Sequence, residues 1–393
     1  MVYDFDSLPD RRNSDSFKWN FYSEDVLPMW VADMDFLSPE PVVRALRERV
    51  EHGVYGYPLG LKGEPGELPG FRQLIVERLA DLYNWDITAE DLIFLPGVIV
   101  GFNLACHAVV SPAGGVLVQT PVYPHILQAA ETTGCLPQEM ELTRSQDGSY
   151  SVDWDLFAAS MTRETRLFIL NNPHNPVGKV FRQEELERVA EICLQRGVVI
   201  CSDEIHSDLT FSGHRHVPIA ALDPQVADNT ITLIAPTKTY NLAGLHCSIA
   251  IIQNPELRRL YLEAKQGLVS WVNLMGLAAG QAAYKYGDEW LVQLIGYLQE
   301  NRDILSEYLL SELPEISMSI PHGTYLAWLD CREAGIQGNA GQFFLNRAKV
   351  ALNDGATFGR GGEGFVRLNF GCPRSMLLEA LQRMQSALTA HMT

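Results

Sequence analysis

The stretch Ile234-Ala235-Pro236-Thr237-Lys238-Thr239-Tyr240-Asn241-Leu242-Ala243-Gly244 organises our interpretation of this sequence. It places one lysine, Lys238, just after the apolar run of residues 230–235. A run rich in Ile and Thr and bounded by proline is typical of a buried strand, so we expect the amine in a partly desolvated site. Desolvation lowers the pKa of a lysine, and a neutral amine is the nucleophile of Schiff-base chemistry. Taken alone, Lys238 could also be an ordinary solvated loop lysine.

Two upstream segments place polar side chains after other apolar runs. NNPHNPVG, residues 171–178, follows the apolar residues 167–170, and DEIH, residues 203–206, follows the apolar residues 198–201. The carboxyl ends of parallel strands meet at one edge of a sheet, where ligands bind. With Lys238, these strand ends would bring an amide, a carboxylate and an amine to one rim.

Strand and helix patterns alternate through the first two thirds of the chain. The predicted strands are residues 92–95, 116–119, 167–170, 198–201, 231–235 and 248–252, and the predicted helices include residues 71–83, 98–110 and 183–196. Such alternation favours an α/β fold with a largely parallel sheet covered by helices.

The remainder of the chain has a different pattern. Helices are predicted at residues 257–268, 274–286, 289–310, 342–349 and 375–390, with strands at residues 325–329 and 365–369. We therefore divide the chain into three parts: residues 1–50 as a segment joining the small domain, 51–287 as the large domain, and 288–393 as a smaller α+β domain.

Composition limits the classes of function. The chain has 393 residues, 47% hydrophobic and 20% charged, which is ordinary for a globular enzyme. A net charge of −18 opposes binding to nucleic acid or to an anionic membrane. The longest apolar run, residues 98–110, is too short to span a bilayer. The seven scattered cysteines suggest reduced thiols without a metal site, and the N-terminus lacks a signal-peptide pattern, so we expect a cytoplasmic protein.

A possible phosphate site lies where residues 92–95 end at Pro96-Gly97 and the helix of residues 98–110 begins. The unpaired N–H groups and the positive dipole end of a helix start suit a phosphate. A strand, a glycine and a helix in succession are also common without any ligand.

Three motifs carry a resemblance to a known family: PMWVADMDF (residues 28–36), HGVYGY (52–57) and KTYNLAGL (238–245). With them the chain resembles, over essentially its whole length, the pyridoxal 5'-phosphate (PLP) enzymes of the aspartate aminotransferase fold type. In detail it is similar to the MalY/PatB cystathionine β-lyase group. The resemblance implies the PLP-dependent transferase fold type I, with a mostly parallel seven-stranded sheet between helices in the large domain. It also implies a homodimer with active sites shared between subunits.

The resemblance assigns roles around the PLP ring. Lys238 would be the catalytic residue and the covalent anchor of PLP, and Asp203 would pair with the ring nitrogen and keep it protonated. Asn175 and His206 would face the phenolic oxygen, and Tyr123 would stack on the ring.

Further roles follow from the same resemblance. The phosphate would be held by the N–H groups of Val98 and Ile99, by the Thr237 hydroxyl, and by Tyr57 from the second subunit.

On the substrate side, Arg367 would grip the α-carboxylate, for which a bidentate guanidinium is apt. Asn175, Ala32 and Trp30 would line the same side. An alternative for Arg367 is a buried structural ion pair.

The implied activity is β-elimination from cystathionine or a related L-cysteine thioether, giving pyruvate, ammonia and a thiol. An L-amino-acid aminotransferase is the alternative, since both reactions begin with removal of the Cα proton. We favour the lyase because of residues 28–36 and His206, and because Arg367 is the only arginine matched to a motif. A catalytically quiet regulator of the same fold is a further possibility.

Overall fold

Short apolar runs that are buried on both faces form the centre of the molecule. The computed structural model describes residues 2–60, 66–111 and 113–392. Seven strands form one sheet: β1 (Leu92–Leu95), β2 (Gly115–Thr120), β3 (Leu136–Glu141), β4 (Thr165–Asn171), β5 (Val199–Asp203), β6 (Thr230–Ile234) and β7 (Ser248–Ile251). Strands β1, β2, β6 and β7 are buried at every position, as expected when helices cover both faces of a sheet.

The strands lie in the order β1-β7-β6-β5-β4-β2-β3. Neighbours run parallel except that β7 is antiparallel to β1 and β6. Strands β4, β5 and β6 are adjacent, and the register pairs Asn171 with Asp203 and Asp203 with Leu233. The three strand ends predicted to share one rim therefore lie side by side.

Helices flank this sheet and continue into the last third of the chain. The longer ones are Glu40–His52, Phe71–Tyr83, Val98–Val109, Gln183–Arg196, Pro255–Lys265, Leu274–Tyr286, Asp288–Glu312 and Arg374–Met392. The shorter ones are Phe17–Asn20, Pro124–Leu127, Ala129–Thr132, Trp154–Ser160, Pro224–Asp228, Pro236–Thr239 and Ala340–Phe343, with 3-10 turns at Ala89–Asp91, Ile219–Ala221, Ala243–Leu245 and Gly355–Phe358.

Helix Val98–Val109 lies directly on the sheet because of one glycine. A Cβ atom at Gly101 would come within 2.8 Å of a methyl carbon of Leu233 on β6. The close approach brings the helix N-terminus to the same edge as the ends of β4, β5 and β6.

A second, four-stranded antiparallel sheet has the order Ser317–Met318, Leu326–Asp330, Phe365–Asn369, Asn353–Asp354. Leu27–Pro28 pairs in parallel with Val350–Ala351, which ties part of the N-terminal segment to this region. Thr143–Arg144 and Tyr150–Ser151 form a separate two-stranded pair.

The predicted α/β fold with a mostly parallel seven-stranded sheet is confirmed. The seven-stranded sheet lies inside the predicted large domain and the four-stranded sheet inside the predicted small domain, while the boundaries at residues 50/51 and 287/288 stay a prediction. All seven cysteines are free and buried. Within the described residues, no helix combines the length and the apolar character needed to cross a membrane.

Two local predictions are wrong in detail. Residues 342–349 do not form one α-helix, because the chain passes from Ala340–Phe343 into the π-helix Phe344–Ala348 and then into a left-handed residue, Lys349, with φ 57°. Lys238 does not follow its strand immediately, because β6 ends at Ile234 and the lysine lies in the short helix Pro236–Thr239.

Candidate active site

The ends of β4, β5 and β6 face a cavity of about 550 Å³, a size typical of small-molecule sites. The structure brings eleven of the twelve predicted site residues together in its wall. They are Trp30, Ala32, Val98, Ile99, Tyr123, Asn175, Asp203, His206, Thr237, Lys238 and Arg367. The strand ends that were predicted to converge, which bring Asn175, Asp203 and Lys238, therefore face one cavity.

Lys238 enters the cavity from helix Pro236–Thr239. Its Nζ donates a hydrogen bond of 2.6 Å to the backbone carbonyl of Ala32. Burial lowers the pKa of Lys238 to about 8, with the positive charge of Arg367 adding to the effect and the carboxylate of Asp33 opposing it. A pKa of about 8 leaves a far larger neutral fraction near neutral pH than an ordinary lysine has, which suits a nucleophilic or basic amine, and the position in the cavity wall argues against a solvated loop lysine.

Asp203, the last residue of β5, is a buried carboxylate without a cationic partner among the described residues. It accepts hydrogen bonds from the Ile205 N–H at 3.3 Å and from Asn171 Nδ2 at 3.4 Å. Burial raises the pKa of Asp203 to about 7. Such a group would gain most from a buried cation placed against it.

His206 lies two residues beyond Glu204, where the chain turns away from β5. Its ring is buried and meets Tyr325 edge to face, with centroids 5.9 Å apart. Burial lowers the pKa of His206 to about 3, and the charges of Lys238 and Arg367 act in the same direction. The imidazole is therefore neutral near neutral pH, and its Nδ1 has no partner among the described residues.

Arg367 reaches the cavity from the middle of strand Phe365–Asn369. Its Nη1 donates to Asn175 Oδ1 at 2.9 Å, and its Nη2 donates to Asn353 Oδ1 at 2.7 Å and to the Trp30 carbonyl at 3.0 Å. Burial lowers the pKa of Arg367 to about 10, so it stays charged near neutral pH.

The guanidinium of Arg367 has no carboxylate partner among the described residues, and its buried Nε has no partner at all there. The alternative of a structural ion pair is therefore not supported. A bound carboxylate would supply the missing negative charge.

Residues 30–36 lie along the cavity as a cover segment. Side chains in or next to the four-stranded sheet, and one side chain after helix Pro236–Thr239, hold this segment in place. Three consecutive carbonyls of this segment accept hydrogen bonds: Trp30 from Arg367 at 3.0 Å, Val31 from Asn369 at 2.6 Å, and Ala32 from the Tyr325 hydroxyl at 2.9 Å. On the other side, Asn241 Nδ2 donates to the carbonyls of Met34 and Phe36. The cover segment thus fixes the positions of Trp30 and Ala32.

The helix Val98–Val109 presents its first turn to the cavity through Val98, Ile99 and Val100, and Thr237 lies in the same wall. The first N–H groups of a helix have no partner within it. The N–H groups at the start of this helix could therefore bind a phosphate in the cavity, and the predicted phosphate site stays a prediction.

Tyr57 is the predicted site residue that the structure does not place in the cavity of its own chain. It is 84% exposed, and its ring centroid lies 5.3 Å from that of Trp271. Its predicted contribution to the partner's site stays a prediction.

Several lining residues were missed by the sequence analysis: Phe17, Asn171, Asn353 and Phe358. Asn171 could have been found because it ends β4 beside Asp203. The other three have no local signal, since they reach the cavity only through packing of distant segments.

Comparison with known proteins identifies relatives along essentially the whole chain. The family description "Aminotransferase class I and II" matches residues 25–384. The cystathionine β-lyase PatB of Bacillus subtilis is 38% identical, covering 98% of this chain and 100% of its own. The protein MalY of Escherichia coli is 31% identical, covering 99% and 100%. A crystal structure of the PLP-bound C–S lyase of Staphylococcus hominis superposes with a TM-score of 0.92 at 31% identity, covering both chains completely.

The fold and the lysine-bearing cavity define a PLP-dependent enzyme of fold type I. The chain belongs to the aminotransferase class I and II family. The predicted resemblance and the predicted cofactor class are confirmed.

The residues present also fit PLP chemically. Asp203 is a buried carboxylate that lacks a cation, which suits a protonated ring nitrogen, and Lys238 is an amine with a lowered pKa. The helix start at Val98 and Ile99, with Thr237 beside it, suits a phosphate. These residues would hold PLP.

Proposed function

We propose that this protein is a PLP-dependent carbon–sulfur β-lyase that converts cystathionine or a related L-cysteine thioether to pyruvate, ammonia and a thiol. Supporting this proposal, full-length relatives at 31–38% identity carry the name cystathionine β-lyase or MalY. One observation favours the lyase over an aminotransferase: Arg367 is the single arginine in the cavity wall among the described residues. An aminotransferase that alternates with an acidic keto acid often needs a second cation for the side-chain carboxylate.

PLP, when bound, supplies an electron-withdrawing ring that stabilises negative charge at the substrate Cα. Asp203 would favour the protonated, more strongly withdrawing form of that ring. Neutral His206 and the Asn175 amide would offer hydrogen bonds to it without adding charge.

Lys238 moves the proton. Its neutral Nζ would take the proton from the substrate Cα, for which a pKa of about 8 is well matched to neutral pH. The electrons of that C–H bond then form the Cα–Cβ double bond while the Cβ–S bond breaks and sulfur leaves with its electron pair. The proton on Nζ can pass to the thiolate, and water converts the three-carbon fragment to pyruvate and ammonia.

Arg367 orients the substrate for this transfer. Its Nε, which has no partner among the described residues, would bind the α-carboxylate together with one Nη group, while the remaining contacts to Asn175, Asn353 and the Trp30 carbonyl keep the guanidinium from rotating. The cover segment over Lys238 would limit access of water to the reacting carbon.

The L-amino-acid aminotransferase remains the second candidate, because the family description names that activity. The roles proposed for Lys238, Asp203 and Arg367 would also serve both reactions. The two differ only after the Cα proton has left. In an aminotransferase the Cβ–S bond would stay intact, and Lys238 would return the proton so that water releases a keto acid while the amino group stays on the enzyme for transfer to a second keto acid.

One experiment separates the two candidates. The purified holoenzyme is incubated with L-cystathionine or another L-cysteine thioether and, separately, with an L-amino acid plus 2-oxoglutarate. Pyruvate, ammonia and free thiol without added keto acid support the lyase. Glutamate formation at a much higher kcat/KM, with negligible thiol release, would contradict it.

We also infer that the protein acts as a homodimer in which Tyr57 completes the partner's site. Its exposed position outside its own cavity supports this, and two-fold dimers are the commonest closed assemblies. Mixing Tyr57→Phe subunits with Lys238→Ala subunits should restore activity, because one site of each heterodimer then has both residues. Full activity of a monomer in sedimentation would contradict the shared site.

A further inference from the structure

Four aromatic rings form a cluster at the mouth of the cavity: Phe17, Phe21, Tyr22 and Trp30, which we call the mouth cluster. The ring centroids of Phe17, Phe21 and Tyr22 lie 5.1, 5.2 and 5.6 Å from that of Trp30. Phe17 is 62% exposed and Phe21 57% exposed. Exposed aromatic surface concentrated beside a cavity is typical of a binding site.

Hydrogen bonds hold parts of the mouth cluster in place. The Trp30 indole Nε1 donates to the Lys18 carbonyl at 3.2 Å, and helix Phe17–Asn20 is capped by the Ser16 side chain. A rigid apolar surface loses little entropy when a ligand packs on it.

Two cations close to the mouth cluster in sequence, Arg12 and Lys18, bind groups of the protein itself. Lys18 Nζ forms a buried ion pair with Asp35 at 2.6 Å, and Arg12 donates to the backbone carbonyls of Trp19, Glu24 and Val26. Among the described residues that line the cavity, the only lysine and arginine are Lys238 and Arg367. Both have roles at the reacting end of the substrate.

We infer that the preferred substrate is an L-cysteine thioether whose S-substituent is uncharged and apolar and packs on Phe17 and Trp30. The inference rests on the proposed lyase function and narrows its substrate class. The distal carboxylate of L-cystathionine would lose water against the aromatic rings without meeting an ammonium or guanidinium. Its distal ammonium could lie over an aromatic face, but the carboxylate remains unpaired.

The effect of chain length follows from burial. Each methylene transferred from water to the mouth cluster should raise kcat/KM about fourfold, until the substituent extends beyond the rings. S-butyl-L-cysteine is the matched comparison for L-cystathionine, because both S-substituents have four carbons in a chain and only one carries charge.

The test measures pyruvate release by the holoenzyme from S-methyl-, S-ethyl-, S-propyl- and S-butyl-L-cysteine and from L-cystathionine. We expect kcat/KM to rise along the alkyl series and S-butyl-L-cysteine to exceed L-cystathionine by at least about tenfold. A flat alkyl series, or L-cystathionine equal to or better than S-butyl-L-cysteine, would overturn the inference.

Variants of Phe17 test whether the mouth cluster produces the preference for an apolar S-substituent. Phe17→Ala should lower the ratio of kcat/KM for S-butyl-L-cysteine over L-cystathionine, Phe17→Leu should retain most of it, and Tyr286→Ala, which removes a 54% exposed aromatic ring elsewhere, should not change it. The ratio is internal to each preparation, so a partly inactive variant does not distort it. An unchanged ratio in Phe17→Ala would show that the exposed rings face something other than the substrate and would overturn the inference.

A failure of the proposed lyase activity can be distinguished from a failure of the inferred substrate preference. If no thioether yields thiol, the lyase is wrong, and the side-chain preference is measured by the dissociation constants of L-norleucine and L-glutamate from the absorbance of bound PLP. Tighter binding of L-norleucine supports the apolar mouth, and tighter binding of L-glutamate overturns it.

Discussion

Replacing Arg367 by methionine should remove recognition of the substrate α-carboxylate while leaving the fold nearly as stable. Arg367 is 4% exposed and donates to Asn175, Asn353 and the Trp30 carbonyl, but it has no carboxylate partner within the described residues. Burial lowers its pKa to about 10. In the free protein the charged form is therefore disfavoured by about 3 kcal/mol relative to water.

The substitution should change the stability of the fold much less than it changes the binding of substrate. Loss of the three hydrogen bonds is offset by removal of a desolvated charge, so the thermal midpoint should change little. Hydrogen bonds to a charged group are worth about 1.5–3 kcal/mol each, so losing two of them to a carboxylate should cost about 3–6 kcal/mol. That corresponds to a loss of about 10²–10⁴ in kcat/KM.

The assay compares inhibition by L-alanine and by ethylamine, which lacks the carboxylate. Wild type should bind L-alanine about 10²–10⁴ times more tightly than ethylamine, and Arg367→Met should bind the two almost equally. Arg302→Met is the control, because this arginine is also largely buried and lies over the Phe211 ring at 4.8 Å but is outside the cavity wall.

Persistence of the wild-type preference for L-alanine in Arg367→Met would refute this role, whatever the variant does to turnover. A collapse of the preference in Arg302→Met as well would show that the effect is structural.

Three further outcomes are expected. Because burial raises the pKa of Asp203 from 3.8 to about 7, its ionisation destabilises the cofactor-free fold, an effect absent below about pH 4 and complete above about pH 7. Thermal unfolding of cofactor-free Asp203→Asn should therefore show added stability of up to about 4 kcal/mol at pH 8 and none at pH 4, while PLP retention falls. Acetylation of Lys238 in the cofactor-free protein, followed by peptide mass spectrometry, should be half-maximal near pH 8, and Asp33→Asn should lower that midpoint because the carboxylate favours the ammonium form. Gly101→Ala should reduce stability in urea by about 1–2 kcal/mol and weaken PLP binding, since its Cβ meets Leu233 at 2.8 Å and displaces the helix start.

Elements with a strong local pattern were predictable from the sequence. The helices Phe71–Tyr83 and Gln183–Arg196 and the strand Leu92–Leu95 have the predicted bounds, because their apolar periodicity is set by nearby residues. Strand Leu136–Glu141 was missed, because it lies at the sheet edge, is largely exposed and contains Pro137. Its pairing partner, not its own sequence, makes it a strand.

The candidate site also contains residues that the sequence could place and residues that it could not. Asp203 and Lys238 could be placed because Asp203 ends a buried strand, Lys238 lies four residues beyond the end of the neighbouring buried strand, and parallel strand ends converge. The Ala32 carbonyl, Asn353 and Phe358 could not, because they reach the cavity through packing of segments far apart in sequence. The hydrogen bond from Arg367 to the Trp30 carbonyl, for example, joins residues separated by 337 positions.

The most direct test of the central claim is to identify the residue that carries PLP. The holoenzyme is treated with sodium borohydride, digested and mapped by mass spectrometry, with Lys238→Ala as the control. We expect the reduced pyridoxyl phosphate group on Lys238 alone, and neither label nor turnover in the variant. Label on another lysine, or turnover of a thioether by Lys238→Ala at the wild-type rate, would contradict the assignment of Lys238 as anchor and proton carrier.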